Sequence, residues 1–109
     1  MKITEKDTCI VHNFSDLSDW NEFLSNNGPE SICSSYNQNI VFSFEDGISF
    51  DPMLLDQLGK FSLALSEIKK SFVVVTSYAK EDVDHEINLV PTEHEAIEFI
   101  FMEEIERSF

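Results

Sequence analysis

Two short apolar runs, separated by a long amphipathic segment, organise residues 39–76. Residues 40–44 (IVFSF) and 72–76 (FVVVT) are rich in β-branched and aromatic side chains. This pattern is typical of strands that are buried on both faces. The segment between them is long enough for a crossover helix. The sequence therefore predicts a βαβ unit with two parallel strands and a right-handed connection.

The helix of this unit has a clear start. Asp51 can accept hydrogen bonds from the first free backbone amides. Pro52 is tolerated at the first helical position, because an N–H there would have no partner within the helix. An acidic turn at residues 45–47 (EDG) precedes it. The predicted buried face follows helical spacing and consists of Leu54, Leu58, Phe61, Leu65 and Ile68.

The flanking segments predict further elements. Residues 2–5 and 8–13 are strand candidates joined by a polar turn, and residues 87–90 predict a last short strand. A capping box at residues 92–95 opens a closing helix. Residues 15–27 predict a first helix with an apolar face made of Leu17, Trp20, Phe23 and Leu24.

Two polar stretches interrupt this pattern. Residues 29–38 predict a loop that contains at most a brief strand, and residues 78–86 predict a loop or one helical turn. In the strand at residues 8–13, alternation places Cys9 and His12 on opposite faces. The expected element order is β-β-α-β-α-β-β-α.

The composition indicates a single folded domain over residues 1–109. Apolar residues make up 42% of the chain, and ten residues are phenylalanine, which is enough for a hydrophobic core. The net charge of −14 disfavours nucleic acid and anionic membranes as partners, because their phosphates would be repelled. A basic protein surface is a more natural partner, and the alternative is that the acidity only confers solubility. Without an apolar leader or a membrane-length apolar run, we expect a cytoplasmic protein.

Little in the sequence supports catalysis or cofactor binding. The one cluster of metal-capable residues is Asp82, Asp84, His85 and Glu86, whose spacing matches neither a zinc site nor an EF-hand. The two cysteines are too few for a disulfide framework. No nucleophile elbow or phosphate-binding glycine loop occurs. We therefore expect neither enzymatic activity nor a cofactor.

The histidines leave one alternative open. His12 stands alone on a strand, and we expect it to be hydrogen-bonded or solvent-facing rather than catalytic. A small enzyme or ligand carrier would use Asp51, His85 or His94. That alternative predicts a polar pocket lined by at least two of these three residues.

The element order and two segments resemble the STAS domain of bacterial anti-sigma factor antagonists. Residues 39–55 (NIVFSFEDGISFDPMLL) are similar to the strand and turn that lead into the Asp-Ser-Ser-Gly-Leu helix start of the family. Residues 89–107 (LVPTEHEAIEFIFMEEIER) are similar to the terminal strand and helix of small stand-alone members. The resemblance implies an α/β, STAS-like fold with a largely parallel sheet of about four to five strands. It also implies a protein-binding module whose partner is an anti-sigma factor with kinase activity.

The chain departs from this family at the phosphorylated position. In STAS antagonists, phosphorylation of a serine at the helix start releases the partner, since a dianionic group changes the docking surface. Here Pro52 and Met53 stand where the two serines would be, and Leu54 replaces the glycine. Ser49 is a poor substitute, because it lies on the strand side of the corner. The segment between residues 76 and 87 is also shorter than in the family, so we expect a divergent STAS domain without this phosphoswitch.

The expected docking site is the corner between strand and helix. Met53 is expected to be exposed there, and the exposure of Leu54 is left open. An alternative is a homodimeric scaffold domain that uses the closing helix, whose apolar surface is wider than one packing stripe needs. The residues expected to bind protein at the corner are Asp46, Gly47, Ser49, Asp51, Pro52, Met53 and Leu54.

Overall fold

The described residues fold as a five-stranded sheet with four helices. The computed structural model describes residues 2–46, 48, 50–77 and 87–108. The sheet order is β1-β2-β3-β4-β5, with β1 antiparallel to β2 and the other neighbouring pairs parallel. The elements are β1 (Lys2–Glu5), β2 (Cys9–Phe14), α1 (Leu17–Asn26), α2 (Pro29–Tyr36), β3 (Asn39–Phe44), α3 (Pro52–Glu67), β4 (Phe72–Val75), β5 (Asn88–Val90) and α4 (Glu93–Arg107).

The predicted βαβ unit is confirmed as a pair of adjacent parallel strands joined by a helix. Ile40 of β3 lies opposite Phe72 of β4, and Ser43 lies opposite Val75. All four residues of β4 are buried, as the unbroken apolar run predicts. The fold is therefore α/β, with a mixed and mostly parallel sheet, as expected.

Side-chain alternation along the strands divides the core into two parts. On one face, large aromatic side chains of the sheet pack against α1, α2 and α3. On the other face, small side chains pack against α4, and a valine-rich surface allows that single helix to approach closely. The aromatic face includes Phe14, Phe42, Phe44 and Phe72, and the second face includes Cys9, Val11, Val41 and Val73.

Side-chain caps fix the starts of three helices. The Asp16 carboxylate accepts from the Asp19 amide at 2.9 Å, and the Asp51 carboxylate accepts from the Leu54 amide at 2.8 Å. At α4, Thr92 Oγ1 accepts from the amide of residue 95 at 3.2 Å. The carboxylate of residue 95 accepts from the Thr92 hydroxyl at 3.1 Å instead of from its backbone amide, so the predicted capping box is half formed.

The prediction of a loop at residues 29–38 is wrong, because α2 occupies most of it. Pro29 begins the helix, and the Gly28 amide donates to Ser31 Oγ at 3.0 Å. Asn37 ends it in the left-handed region at φ 45°. Only Ile32 of this helix is buried, at 2% exposure, so the apolar signal was too narrow to stand out among serines.

Two smaller differences concern the helices. Leu17 is 43% exposed, and Ile68 follows the last residue of α3 and is 37% exposed, so neither lies on the buried face expected of it. The prediction for residues 78–86 lies outside the described residues. Among the described helices, none combines the length and apolar character needed to cross a membrane.

Candidate functional site

The corner between β3 and α3 presents an exposed methionine on a rigid helix start. The cap at Asp51 fixes the first turn of α3, so the side chains that follow have defined directions. Pro52 is exposed and Met53 is 70% exposed. Leu54 is 3% exposed and belongs to the core, so it cannot contribute to a docking surface. The reason is helical geometry, since Leu54 shares the buried stripe with Leu58.

A second exposed apolar residue lies at the same edge of the sheet. β2 and β3 are parallel, and their ends are joined by a hydrogen bond from the Glu45 amide to the Phe14 carbonyl at 3.1 Å. Leu17 begins α1 just after β2, as Met53 lies in the first turn after β3. One turn further along each helix, Trp20 Nε1 donates to Gln57 Oε1 at 2.9 Å and ties α1 to α3.

Exposed carboxylates lie at the same edge of the sheet. Asp16 and Asp51, the two N-caps, are exposed, and so are Glu45 and Asp46 in the turn after β3. A hydrogen bond from the Ser15 amide to the Asp19 carboxylate, 3.0 Å long, lowers the pKa of that carboxyl group. We call Leu17, Pro52 and Met53, together with the exposed carboxylates of residues 16, 45, 46 and 51, the carboxyl-edge surface. It combines exposed apolar and acidic side chains.

Those of the remaining predicted site residues that the structure describes are not brought together. Gly47 and Ser49 lie outside the described residues, as do His85 and the other metal-capable residues at 82–86. His94 is exposed and contacts the Glu98 carboxylate at 2.8 Å. Neither Asp51 nor His94 is among the described residues that line four of the better-formed cavities. Within those residues no cluster of three metal-binding side chains occurs.

His12 differs from expectation. It is fully buried rather than hydrogen-bonded or solvent-facing, and neither ring nitrogen has a well-formed hydrogen bond among the described residues. The rings of Phe23, Tyr36 and Phe42 surround it in edge-on contacts with centroids 5.4 to 5.5 Å away. Burial lowers the pKa of His12 to about 4, because the charged imidazolium would lose its hydration. At neutral pH it is an uncharged core residue.

The outward face of α4 forms a second apolar surface. Phe101 and Met102 are 57% and 55% exposed, and they border a cavity of about 430 Å³ together with Thr8, Ile97 and Glu98. This matches the expectation that α4 carries more apolar surface than one packing stripe requires. Phe109, at the end of the same apolar pattern, lies outside the described residues.

The sequence pattern did not identify Leu17 as a surface residue. Its spacing from Trp20 placed it on the buried stripe of α1, but the first residue of a helix often extends beyond the core it covers. The available signal was its position directly after an aspartate cap, in the first helical turn, where Met53 also lies after Asp51.

Comparison of the chain with protein-family models, with curated proteins and with solved structures finds no significant match.

Proposed function

We propose that the chain is a non-catalytic protein-binding module that docks its partner on the carboxyl-edge surface. The observation that carries the proposal is the 70% exposure of Met53 on a capped first turn. Methionine is unbranched and polarizable, so it packs well against apolar partner surfaces of varied shape. The cap holds its backbone in place before binding, which reduces the entropy lost on association.

The charge around Met53 defines the kind of partner. Four exposed carboxylates belong to this surface, and Lys2 is the basic residue on the neighbouring edge strand at this end of the sheet. A partner segment with one or two apolar side chains between lysines or arginines would be complementary to this arrangement. The net charge of −14 favours the encounter with such a segment over long range.

The resemblance to STAS antagonists adds a class of partner to this proposal. The same corner would contact an anti-sigma factor or a related kinase, and binding would be constitutive at this position because Pro52 and Met53 carry no hydroxyl group. Control would then come from partner abundance or from another part of the surface. The supporting facts are the parallel βαβ unit and the exposed helix start.

Substitution at the corner tests the proposal. The tagged protein is recovered from its native cells in three forms, the wild type, Met53→Asp and Leu63→Asp. Leu63 is a matched control, because it is 64% exposed on the same helix. It lies beside a cavity whose described lining includes none of the carboxyl-edge residues. A co-purifying partner is identified, purified and titrated against each form.

The expected result is specific to Met53. Loss of a central apolar contact should weaken binding by about 2 kcal/mol or more, roughly thirtyfold, in Met53→Asp. Leu63→Asp should bind like the wild type, and added salt should weaken binding to a basic partner. A partner that binds Met53→Asp as tightly as the wild type would contradict the docking site.

A homodimer through α4 is the second candidate function, favoured by the exposure of Phe101 and Met102 beside an apolar cavity. Exposed carboxylates, including Glu98, oppose the approach of a second acidic copy, so a dimer should tighten as salt screens them. Light scattering over a dilution series at low and high salt measures this. A mass that stays monomeric in both conditions rules the dimer out, and a dimer lost in Phe101→Glu supports it.

A further inference from the structure

A cavity lies at the edge of the sheet opposite Met53, where β3, β4 and β5 begin and where α3 and α4 end. Its volume is about 680 Å³, the largest of the four. Phe72 and Ile87 contribute buried apolar side chains to its wall, and Ser66 and Asn88 contribute polar ones. A cavity of this size and mixed lining is typical of sites for small organic ligands.

Positive charge is concentrated in this cavity. Lys69, Lys70 and Arg107 line it and make up three of the seven basic residues in a chain of net charge −14. Among the described residues, none of these three forms an ion pair with a carboxylate. Glu103 is the one acidic residue among the described lining residues. The described lining of the cavity therefore carries a net positive charge, although the molecule is strongly acidic.

Neutral groups hold the guanidinium of Arg107 at the cavity wall. One of its amino groups donates to Ser71 Oγ at 3.0 Å, and the other donates to Asn39 Oδ1 at 3.4 Å. Asn39 is fully buried, and its amide is oriented by the Thr8 carbonyl and by the Ser71 amide, each at 2.8 Å. These contacts position the guanidinium without cancelling its charge. Its other N–H groups are left for a ligand.

The two lysines are placed by the end of α3. The Lys70 amide donates to the Leu65 carbonyl at 2.9 Å, and the Lys69 amide donates to the Ser66 carbonyl at 3.0 Å. This pair of bonds is a Schellman motif, and it requires Lys69 to adopt a left-handed backbone with φ 60°. Glycine is the residue favoured there, and a lysine is strained. The lysine therefore brings charge to the cavity at a cost to the backbone.

We propose that this cavity binds a small organic molecule that carries a phosphate group. Arginine and lysine are the donors that proteins use for phosphate, the first through paired N–H groups and the second as a point charge. The three positive charges of Lys69, Lys70 and Arg107 balance the two negative charges of a phosphate dianion and the one of Glu103. At physiological salt the charges of the rest of the molecule are screened over about 8 Å, so the local cations dominate. The apolar wall at Phe72 and Ile87 takes the organic part.

Nuclear magnetic resonance titration of the full chain tests the site with phenyl phosphate as the probe. Saturable shifts are expected for backbone amides of residues 66–71, 88 and 103–107. Inorganic phosphate should bind more weakly, because it lacks the apolar group, and phenol at equal ionic strength should give no saturable shifts. Shifts that never saturate, or that lie mainly elsewhere, would falsify the proposal.

Charge variants identify the groups responsible. Lys70→Gln and Arg107→Gln should each weaken phenyl phosphate binding about tenfold or more, the usual effect of losing a charged hydrogen bond. Lys60→Gln removes the same charge from α3 outside the cavity and should bind like the wild type. Glu103→Gln should bind more tightly, whereas Glu98→Gln, on the same helix but outside the cavity, should not. Equal weakening by all three cation variants, together with equal tightening by both glutamate variants, would indicate a response to net charge and overturn the site.

Lys69→Gly separates ligand binding from a purely structural role. Basic residues near a helix C-terminus can stabilise the helix through its dipole. If Lys69 acts only on the helix dipole, Lys69→Gly should lower the unfolding temperature and leave the affinity for phenyl phosphate unchanged. That result would overturn the role of Lys69 in ligand binding. If Lys69 serves the ligand, glycine should relieve backbone strain, keep or raise the unfolding temperature, and weaken binding at least fivefold.

Discussion

A single buried imidazole shows how strongly context sets the chemistry of a residue. In the strand pattern His12 occupies a position that any apolar side chain could fill, and its partners come from α1, α2 and β3. These partners are aromatic rings, and within the part of the chain that the structure describes the imidazole makes edge contacts with them and no well-formed side-chain hydrogen bond. The same burial makes its protonated form incompatible with the native core.

His12 should therefore make the fold sensitive to acid. Its pKa is about 4 in the folded chain and 6.5 in an unfolded one, so the unfolded state binds the proton more readily between these values. The stability contribution is complete above pH 6.5 and falls as the pH drops toward 4. One pKa unit corresponds to about 1.4 kcal/mol, so the expected loss is about 3 kcal/mol.

Urea unfolding of His12→Leu and the wild type, measured between pH 7 and 4, tests this prediction. The free energy of unfolding of the wild type should fall relative to that of the variant by about 3 kcal/mol across this range. His94→Leu is the matched control, because it makes the same replacement at an exposed position on α4. Parallel pH profiles for the wild type and His12→Leu would contradict the burial argument.

At the scale of elements, α2 and α3 show how much a helix depends on its termini and how much on its buried face. α3 has both a cap at Asp51 and five buried apolar residues. α2 has well-formed termini at Gly28 and Asn37 but a single fully buried residue, Ile32. Its formation therefore depends on docking against the core, since short isolated helices are marginal in water.

Ile32→Ala should be costly if α2 is part of the core. The side chain is 2% exposed, and truncating a buried isoleucine typically costs about 2 to 5 kcal/mol. Ser34→Ala, at an exposed position of the same helix, should change the free energy of unfolding by less than about 0.5 kcal/mol. Urea unfolding measures both, and a similar small effect at the two positions would argue against docking of α2.

Asp51→Ala tests the cap that orders the docking corner. Loss of the hydrogen bond to the Leu54 amide should cost about 1 kcal/mol of stability. Asp51→Ser keeps a hydrogen-bond acceptor at the cap and should lower the stability by only about 0.3 kcal/mol. Thermal unfolding distinguishes the two, and equal losses would mean that the carboxylate charge, and not the cap geometry, stabilises the turn.

At the scale of the molecule, charge is distributed unevenly between the two edges of the sheet. The edge where β2 and β3 end carries Met53 among exposed carboxylates, and the opposite edge carries a cavity with three cations. A partner of basic and apolar character and a phosphate-bearing ligand would therefore bind at opposite ends without competing. The overall charge of −14 remains a source of repulsion within the folded chain.

Salt should stabilise the fold by screening this repulsion. Raising sodium chloride from about 0.02 to 0.5 M shortens the screening length several-fold, so the unfolding temperature should rise by a few degrees. The few exposed ion pairs, such as Lys60 with Asp56, lose little by comparison. Calorimetry at the two salt concentrations checks this, and an unfolding temperature that falls with salt would show that attractive pairs dominate.

The sequence by itself determined the elements whose signals are local and redundant. Apolar runs predicted β3 and β4 as buried parallel strands, because only interior strands can be apolar on both sides. Asp51 with Pro52 predicted the start of α3, because the unsatisfied amides of a first turn need an acceptor within three residues. The exposure of Met53 followed from the same helical geometry.

Only the tertiary structure decided the features that depend on residues far apart in the chain. It placed His12 among three aromatic rings and docked α2 through Ile32. It also brought Arg107 to Lys69 across one cavity. Periodicity reports which face of an element is apolar, but not what the rest of the chain packs against it. That outcome is set by the burial free energy of the whole core, to which every element contributes.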